Sequence, residues 1–329
     1  MALDEPRTVA GAEPESEPIA FLTREPPTGK RWIDALSAAM PEERVVPFAR
    51  LSADQHRHVR VAIVADPDPG ELSALPALEW VQSTWAGVER LVGEVPDRIG
   101  LVRMVDPQLA DTMAEAVLAA VLWLHRDGPL YAARQRARIW QAAAPVRASE
   151  RVVGVLGLGA LGCTAARRLA ANGFPTLGWS RTSRPVSGAE TIEVLHEESG
   201  LSALLSRADI LVVLLPLTLG TRGLLDEDAL GLLKPGAAIV NFARGPIIDE
   251  AALIEALDDG LIRHALLDVF DHEPLPQDHG FWSHERVTVW PHVSAPTDTR
   301  SASALIARHI ARWRRTGETP SFVDRARGY

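Results

Sequence analysis

The chain runs Val152-Val153-Gly154-Val155-Leu156 into Gly157-Leu158-Gly159-Ala160-Leu161-Gly162 and on into the helical pattern Cys163–Ala171. An apolar run followed by G-x-G-x-x-G and then a helix is the context in which each glycine has a task. The first makes a tight turn, the second lets the backbone approach a pyrophosphate, and the third lets the helix pack on the strand. The helix start adds unpaired N–H groups and a positive dipole end. Gly157, Gly159, Ala160, Leu161 and Gly162 are therefore candidate cofactor contacts. A glycine-rich strand-to-helix turn without a ligand is the alternative.

Working outward from this stretch, further strand-like runs fall at 175–180, 210–216, 237–243, 264–270 and 287–292, with helical stretches between them. Five earlier runs, at 18–23, 43–49, 59–65, 79–84 and 101–105, precede a long apolar helix from Leu109 to Leu124 and a second helical stretch through Trp140. Residues 298–316 form a last amphipathic helix. Short apolar runs alternating with helix-length segments predict parallel βα units. The fold class is α/β with two doubly wound parallel sheets, a six-stranded one from 151 onward and a smaller five-stranded one before it.

The 329 residues suffice for two domains with separate cores. Residues 1–16 are too polar to pack and read as a disordered tail. Their Asp4, Glu5, Glu13 and Glu15 against Arg7 reverse the charge of a secretory or mitochondrial leader, and the expected location is cytoplasmic. The longest apolar run, Ala116–Leu124, is nine residues, where a bilayer span needs about 18 or more. No membrane or nucleic-acid partner is expected at a net charge of −9. Cys163 is the lone cysteine, and it reads as a core thiol. His272, His279 and His284 match no common zinc spacing, so no metal is assigned.

A site for NAD normally carries Asp or Glu at the end of its second strand to hold the ribose 2′-hydroxyl. Here that strand ends Gly178-Trp179-Ser180-Arg181-Thr182-Ser183-Arg184, with no carboxylate. Ser180, Arg181, Thr182 and Arg184 turn a position that would repel a 2′-phosphate into one that attracts it, which predicts NADPH as the preferred cofactor with NADH possible. Solvated loop charges are the competing explanation of the two arginines.

Taken together with Leu215-Pro216-Leu217-Thr218 and Thr221, Asn241-Phe242-Ala243-Arg244-Gly245, Leu267-Asp268-Val269-Phe270, His272-Glu273-Pro274-Leu275-Pro276, Pro291-His292-Val293 and the terminal Val323–Tyr329, these motifs resemble the D-isomer-specific 2-hydroxyacid dehydrogenases. The resemblance spans nearly the whole chain after the tail. It implies a Rossmann cofactor domain, residues 107–291, inserted in a smaller flavodoxin-like substrate domain made of 17–106 and 292–329. It further implies a homodimer joined near 109–150 and reduction of small 2-keto acids of the glyoxylate/hydroxypyruvate class. Leu215, Pro216, Thr221, Phe242 and Ala243 would line the cofactor, and Asp268 would accept from its nicotinamide amide. Trp85, Ala86 and Gly87 would form a substrate loop, with Trp85 where the reductases carry glycine.

Reduction of a 2-keto acid needs a hydride donor, a group that holds the carboxylate, and an acid that protonates the oxygen as charge develops. Arg244, Glu273 and His292 each follow a strand of the larger sheet and supply such a set. Arg244 offers a fork of donors to carboxylate and carbonyl. His292 is the proton donor, and Glu273 orients the imidazole and favours its charged form. Two other functions share the fold: dehydrogenation of another small acid such as phosphite, and a dinucleotide-sensing corepressor that binds without turnover.

Overall fold

The computed structural model describes residues 17–182 and 192–328. The tail 1–16 and Arg184 lie outside the described residues. Two compact units form. The first takes the described residues up to Met104 together with Thr299–Val323, and the second takes Val105–Asp298 and the chain from Asp324 onward. The sequence boundaries fall at 106/107 and 291/292, whereas the units change over at 104/105 and 298/299 and the last residues return to the second unit.

In the first unit, β1 (Ile19–Leu22), β2 (Val45–Pro47), β3 (Val61–Val64), β4 (Trp80–Ser83) and β5 (Gly100–Val102) make a parallel sheet in the order β2-β1-β3-β4-β5. Alternate residues face opposite sides, as a period of two requires. Ile19, Phe21, Val61, Ile63, Trp80 and Val102 pack against Leu36 of the helix Pro26–Ala39 and Ile306 and Ile310 of the helix Thr299–Thr316. Ala20, Leu22, Ala62, Val64, Val81 and Leu101 fill the other face with Leu72, Leu75 and Leu91. β1 and β3 are buried on both faces, which explains why they read as unbroken apolar runs.

In the second unit, β6 (Val153–Leu156), β7 (Thr176–Ser180), β8 (Glu193–His196), β9 (Ile210–Val213), β10 (Ala237–Asn241), β11 (Ile262–Leu267) and β12 (Val287–Val289) form a parallel sheet in the order β12-β11-β10-β9-β6-β7-β8. The order reverses between β6 and β9, the switch point at which open α/β sheets hold ligands. The sheet has seven strands rather than the six expected. The missed one, β8, is four residues long and lies at the edge with Glu193 exposed, so it lacks the apolar run that marks its neighbours. Val153, Val155, Ile210, Val212, Ala238 and Val240 pack beneath Val117, Val121 and Leu124 of the helix Pro107–His125, while Leu156, Leu177, Leu211, Val213, Ile239 and Leu267 fill the opposite face.

No helix among the described residues is long and apolar enough to cross a membrane.

Candidate active site

The glycine-rich turn follows β6, and its three glycines differ in what surrounds them. Gly157 has φ +99°, left-handed, and a Cβ there would sit 2.8 Å from the Leu214 carbonyl oxygen beyond β9. A Cβ on Gly162 would lie 1.7 Å from the Gly157 carbonyl oxygen, which only glycine permits. Gly159 is different: a Cβ would meet nothing within 4 Å, so its exposed face is open to a ligand. Gly159 caps the helix Ala160–Ala171 without a side-chain hydrogen bond, so the first N–H groups of that helix remain for an anion. The turn thus fits the pyrophosphate of a dinucleotide, with Ala160 and Leu161 at the helix start.

Ser180 ends β7, and its Cα pairs in register with that of His196, the last residue of β8. The Ser180 hydroxyl donates to the Thr182 carbonyl oxygen at 3.1 Å and lies 3.1 Å from His196 Nδ1. Arg181 is exposed, and one of its terminal nitrogens lies 3.6 Å from where a Cβ on Gly220 would stand, over the loop after β9. Within that loop the buried Thr221 hydroxyl donates to the Pro216 carbonyl oxygen at 2.6 Å and accepts from the Thr218 N–H at 2.8 Å, which braces the turn that follows Leu215. Phe242 stacks on Trp290 with ring centroids 5.3 Å apart, and Ala243 beside it is buried.

Arg244, Glu273 and His292 stand beyond the C-terminal ends of β10, β11 and β12, three strands adjacent in the sheet. The Asn241 side chain holds the first of these loops, donating to the Arg244 carbonyl oxygen at 3.0 Å and accepting from the Ala243 N–H at 3.1 Å. Gly245 brings that loop against the next one, since a Cβ there would lie 2.2 Å from the Phe270 carbonyl carbon. One oxygen of Glu273 accepts from the Phe270 N–H at 2.9 Å, and the other meets His292 Nδ1 at 2.6 Å. The Glu273–Pro274 peptide is cis.

The electrostatics agree with this geometry. The hydrogen bond from Glu273 holds the His292 imidazole above its ordinary pKa, against partial burial and the nearby Arg244 charge, which lower it. Burial pushes Glu273 up, but hydrogen bonds from His292 and the Phe270 N–H, with the charges of His292 and Arg244, leave it below the usual carboxylate range. With Nδ1 committed to Glu273, Nε2 is the nitrogen from which the ring can exchange a proton with a ligand.

Asp268, expected from the resemblance to accept from the nicotinamide amide, makes bonds that sequence spacing did not reveal. It is fully buried, and its two oxygens accept from the N–H groups of Val293 at 2.7 Å and Ser294 at 3.0 Å, while its carbonyl oxygen accepts from the His292 N–H at 3.0 Å. His292 itself has φ +51°, a left-handed conformation that costs a residue with a Cβ about 1–2 kcal/mol. Three bonds to Asp268 hold the histidine in that conformation. Trp85, Ala86 and Gly87 belong to the first unit and follow β4. There the Ser83 hydroxyl accepts from the Trp85 N–H at 3.0 Å, and the Trp85 side chain is partly exposed.

A family model for the D-isomer specific 2-hydroxyacid dehydrogenase NAD binding domain matches residues 118–294. Glyoxylate/hydroxypyruvate reductase A of Salmonella paratyphi B is 35% identical over 305 residues, 91% of this chain and 96% of that protein. The fold is similar to that of a D-isomer specific 2-hydroxyacid dehydrogenase from Xanthobacter autotrophicus Py2, solved in complex with NADPH and MES. The TM-score is 0.88 at 38% identity, over 95% of this chain and 100% of the other. It is also similar to the NADPH-dependent glyoxylate/hydroxypyruvate reductase of Sinorhizobium meliloti in complex with NADP and sulfate, with a TM-score of 0.86 at 34% identity, over 95% and 100% of the two chains.

Proposed function

The chain belongs to the D-isomer specific 2-hydroxyacid dehydrogenase family, and on that premise we propose that it reduces small 2-keto acids of the glyoxylate/hydroxypyruvate class to D-2-hydroxy acids with NADPH. The observation that carries this reading is the 2.6 Å contact between Glu273 and His292 Nδ1, which commits one ring nitrogen and reserves the other for substrate.

NADPH, held at the Gly157–Gly162 turn, supplies the hydride that reaches C2 of the keto acid. Arg244 holds the substrate carboxylate and polarises the carbonyl with its planar fork. His292 donates its Nε2 proton to the carbonyl oxygen as negative charge develops there, and Glu273 stabilises the charged ring until transfer. In the reverse direction the neutral ring takes the hydroxyl proton back. Asp268 acts by fixing the backbone that presents His292. Trp85, Ala86 and Gly87 contribute the substrate loop. The absence of a carboxylate at Ser180 and the presence of Arg181 support NADPH over NADH. Exposed Leu122, Trp123, Leu130, Tyr131, Ile139 and Trp140 support the expectation that the 109–150 segment pairs two copies of the chain.

The test is the loss of NADPH absorbance with glyoxylate, hydroxypyruvate and pyruvate, alongside phosphite with NADP. Turnover of a 2-keto acid that disappears in His292→Ala is the expected result. Tight NADPH binding without turnover would favour a sensor, and phosphite oxidation would favour the other dehydrogenase.

A further inference from the structure

We propose that His196 is a recognition residue for the cofactor's 2′-phosphate and that it, rather than the Ser180 hydroxyl, supplies the neighbouring hydrogen bond to that group. The inference rests on the NADPH reading above and adds a residue to it.

The starting observation is the hydroxyl's own bookkeeping. A serine hydroxyl has one proton and two acceptor positions. In Ser180 the acceptors for that proton are the Thr182 carbonyl oxygen at 3.1 Å and His196 Nδ1, also at 3.1 Å, and either one uses it up. Ser180 so arranged has no proton left for a phosphate oxygen, although its place at the end of β7 is where a dinucleotide's adenosine ribose lies.

His196 does have a group to offer. Its Nδ1 is turned onto Ser180, and Nε2, across the ring, has no partner among the described residues. The register of the sheet fixes this arrangement. Ser180 and His196 are paired Cα positions at the C-terminal ends of adjacent parallel strands, so the imidazole stands at the same edge of the sheet as the ribose position. A phosphate oxygen needs a donor. With Nδ1 accepting from the Ser180 hydroxyl, the neutral ring carries its one proton on Nε2 and offers it as that donor. The exposed Arg181, next to Ser180 in the chain, supplies the cation.

Two substitutions separate recognition from a purely structural role. His196→Asn keeps an amide near the Nδ1 position, able to bond Ser180, and removes the group that reaches outward. His196→Gln does the opposite, placing its amide nitrogen near the Nε2 position. The measurement is kcat/KM for NADPH and for NADH with glyoxylate, together with binding of 2′-phosphoadenosine monophosphate and adenosine monophosphate to the full-length protein. The expected result is a fall in the NADPH/NADH ratio of about tenfold in His196→Asn through the NADPH value alone, with most of the ratio kept in His196→Gln. Binding of the 2′-phosphorylated nucleotide should weaken in parallel, while that of adenosine monophosphate stays unchanged. If the ratio survives in His196→Asn, or falls only in His196→Gln, His196 merely braces Ser180 and the inference is overturned. A wild-type protein that shows no NADPH preference would instead remove the cofactor reading on which it stands.

Discussion

Replacing Asp268 by asparagine tests whether that residue sets the position of His292. The amide keeps one acceptor oxygen and turns the other into a donor, so one of the N–H groups of Val293 and Ser294 must face N–H instead of oxygen. Asp268 is fully buried, and water cannot fill the gap without disturbing the strand end. A lost hydrogen bond to a charged group is worth about 1.5–3 kcal/mol, and an unsatisfied buried donor costs about 1–3 kcal/mol. These describe overlapping parts of one event, so about 2–3 kcal/mol is expected in total. That exceeds the strain of about 1–2 kcal/mol held at the left-handed His292, so local opening of the 292–294 segment should become easier. At about 1.4 kcal/mol per factor of ten, amide exchange at Val293 and Ser294 should accelerate by about 30- to 150-fold. Hydrogen exchange read by mass spectrometry over that segment measures it. The kcat for reduction should fall with it, because a proton donor displaced by an ångström can lose about a hundredfold, while NADPH affinity stays constant. Unchanged exchange at these two amides would refute the reasoning. Unchanged exchange with weakened NADPH binding would mark Asp268 as a cofactor acceptor instead.

Three other outcomes follow from the same geometry. In the proposed reaction His292 gives the proton, and Glu273 raises its pKa, so activity should be present at low pH and lost as pH rises through that pKa. In Glu273→Gln this alkaline limb should move to lower pH, oxidation should show the opposite dependence, and a limb that does not move would separate the two residues. Arg244→Lys should lose about 2–5 kcal/mol of transition-state stabilisation in kcat/KM, since an ammonium cannot span carboxylate and carbonyl, and near-normal kinetics would take Arg244 out of the site. Ser180→Asp combined with Arg181→Ala should reverse the NADPH preference, and a double variant that keeps it would locate the selectivity elsewhere.

What could be read from the chain and what could not divide along physical lines. Strands buried on both faces, such as Val153–Leu156 and Ile210–Val213, carry apolar runs that need no partner to be recognised. The edge strand Glu193–His196 has no such run, and it is defined by pairing with β7. The same holds in the site. Arg244, Glu273 and His292 sit in motifs just past strand ends, whereas the contact between Ser180 and His196 depends on a register that no local pattern encodes. Asp268 is visible as a residue after a strand. Its bonds to Val293 and Ser294 appear only once a loop twenty-five residues on returns to it.

The discontinuous first unit also sets an order for synthesis. One face of its sheet is covered by Ala302, Ile306, Ile310 and Trp313 from the helix Thr299–Thr316, and the Trp313 ring meets the Trp80 ring edge-on at 6.0 Å. Those residues leave the ribosome after the whole of Val105–Asp298, so the N-terminal strands must wait with that apolar face covered only in part, by the helix Pro26–Ala39, while the second unit, whose hydrophobic clusters lie within that stretch, can already fold. During that interval Ile19, Phe21, Ile63 and Trp80 are the chain's principal sticky surface. The last helix is thus a late closure for the first unit, and a ribosome that stalls before it leaves a folded second unit tethered to an open sheet.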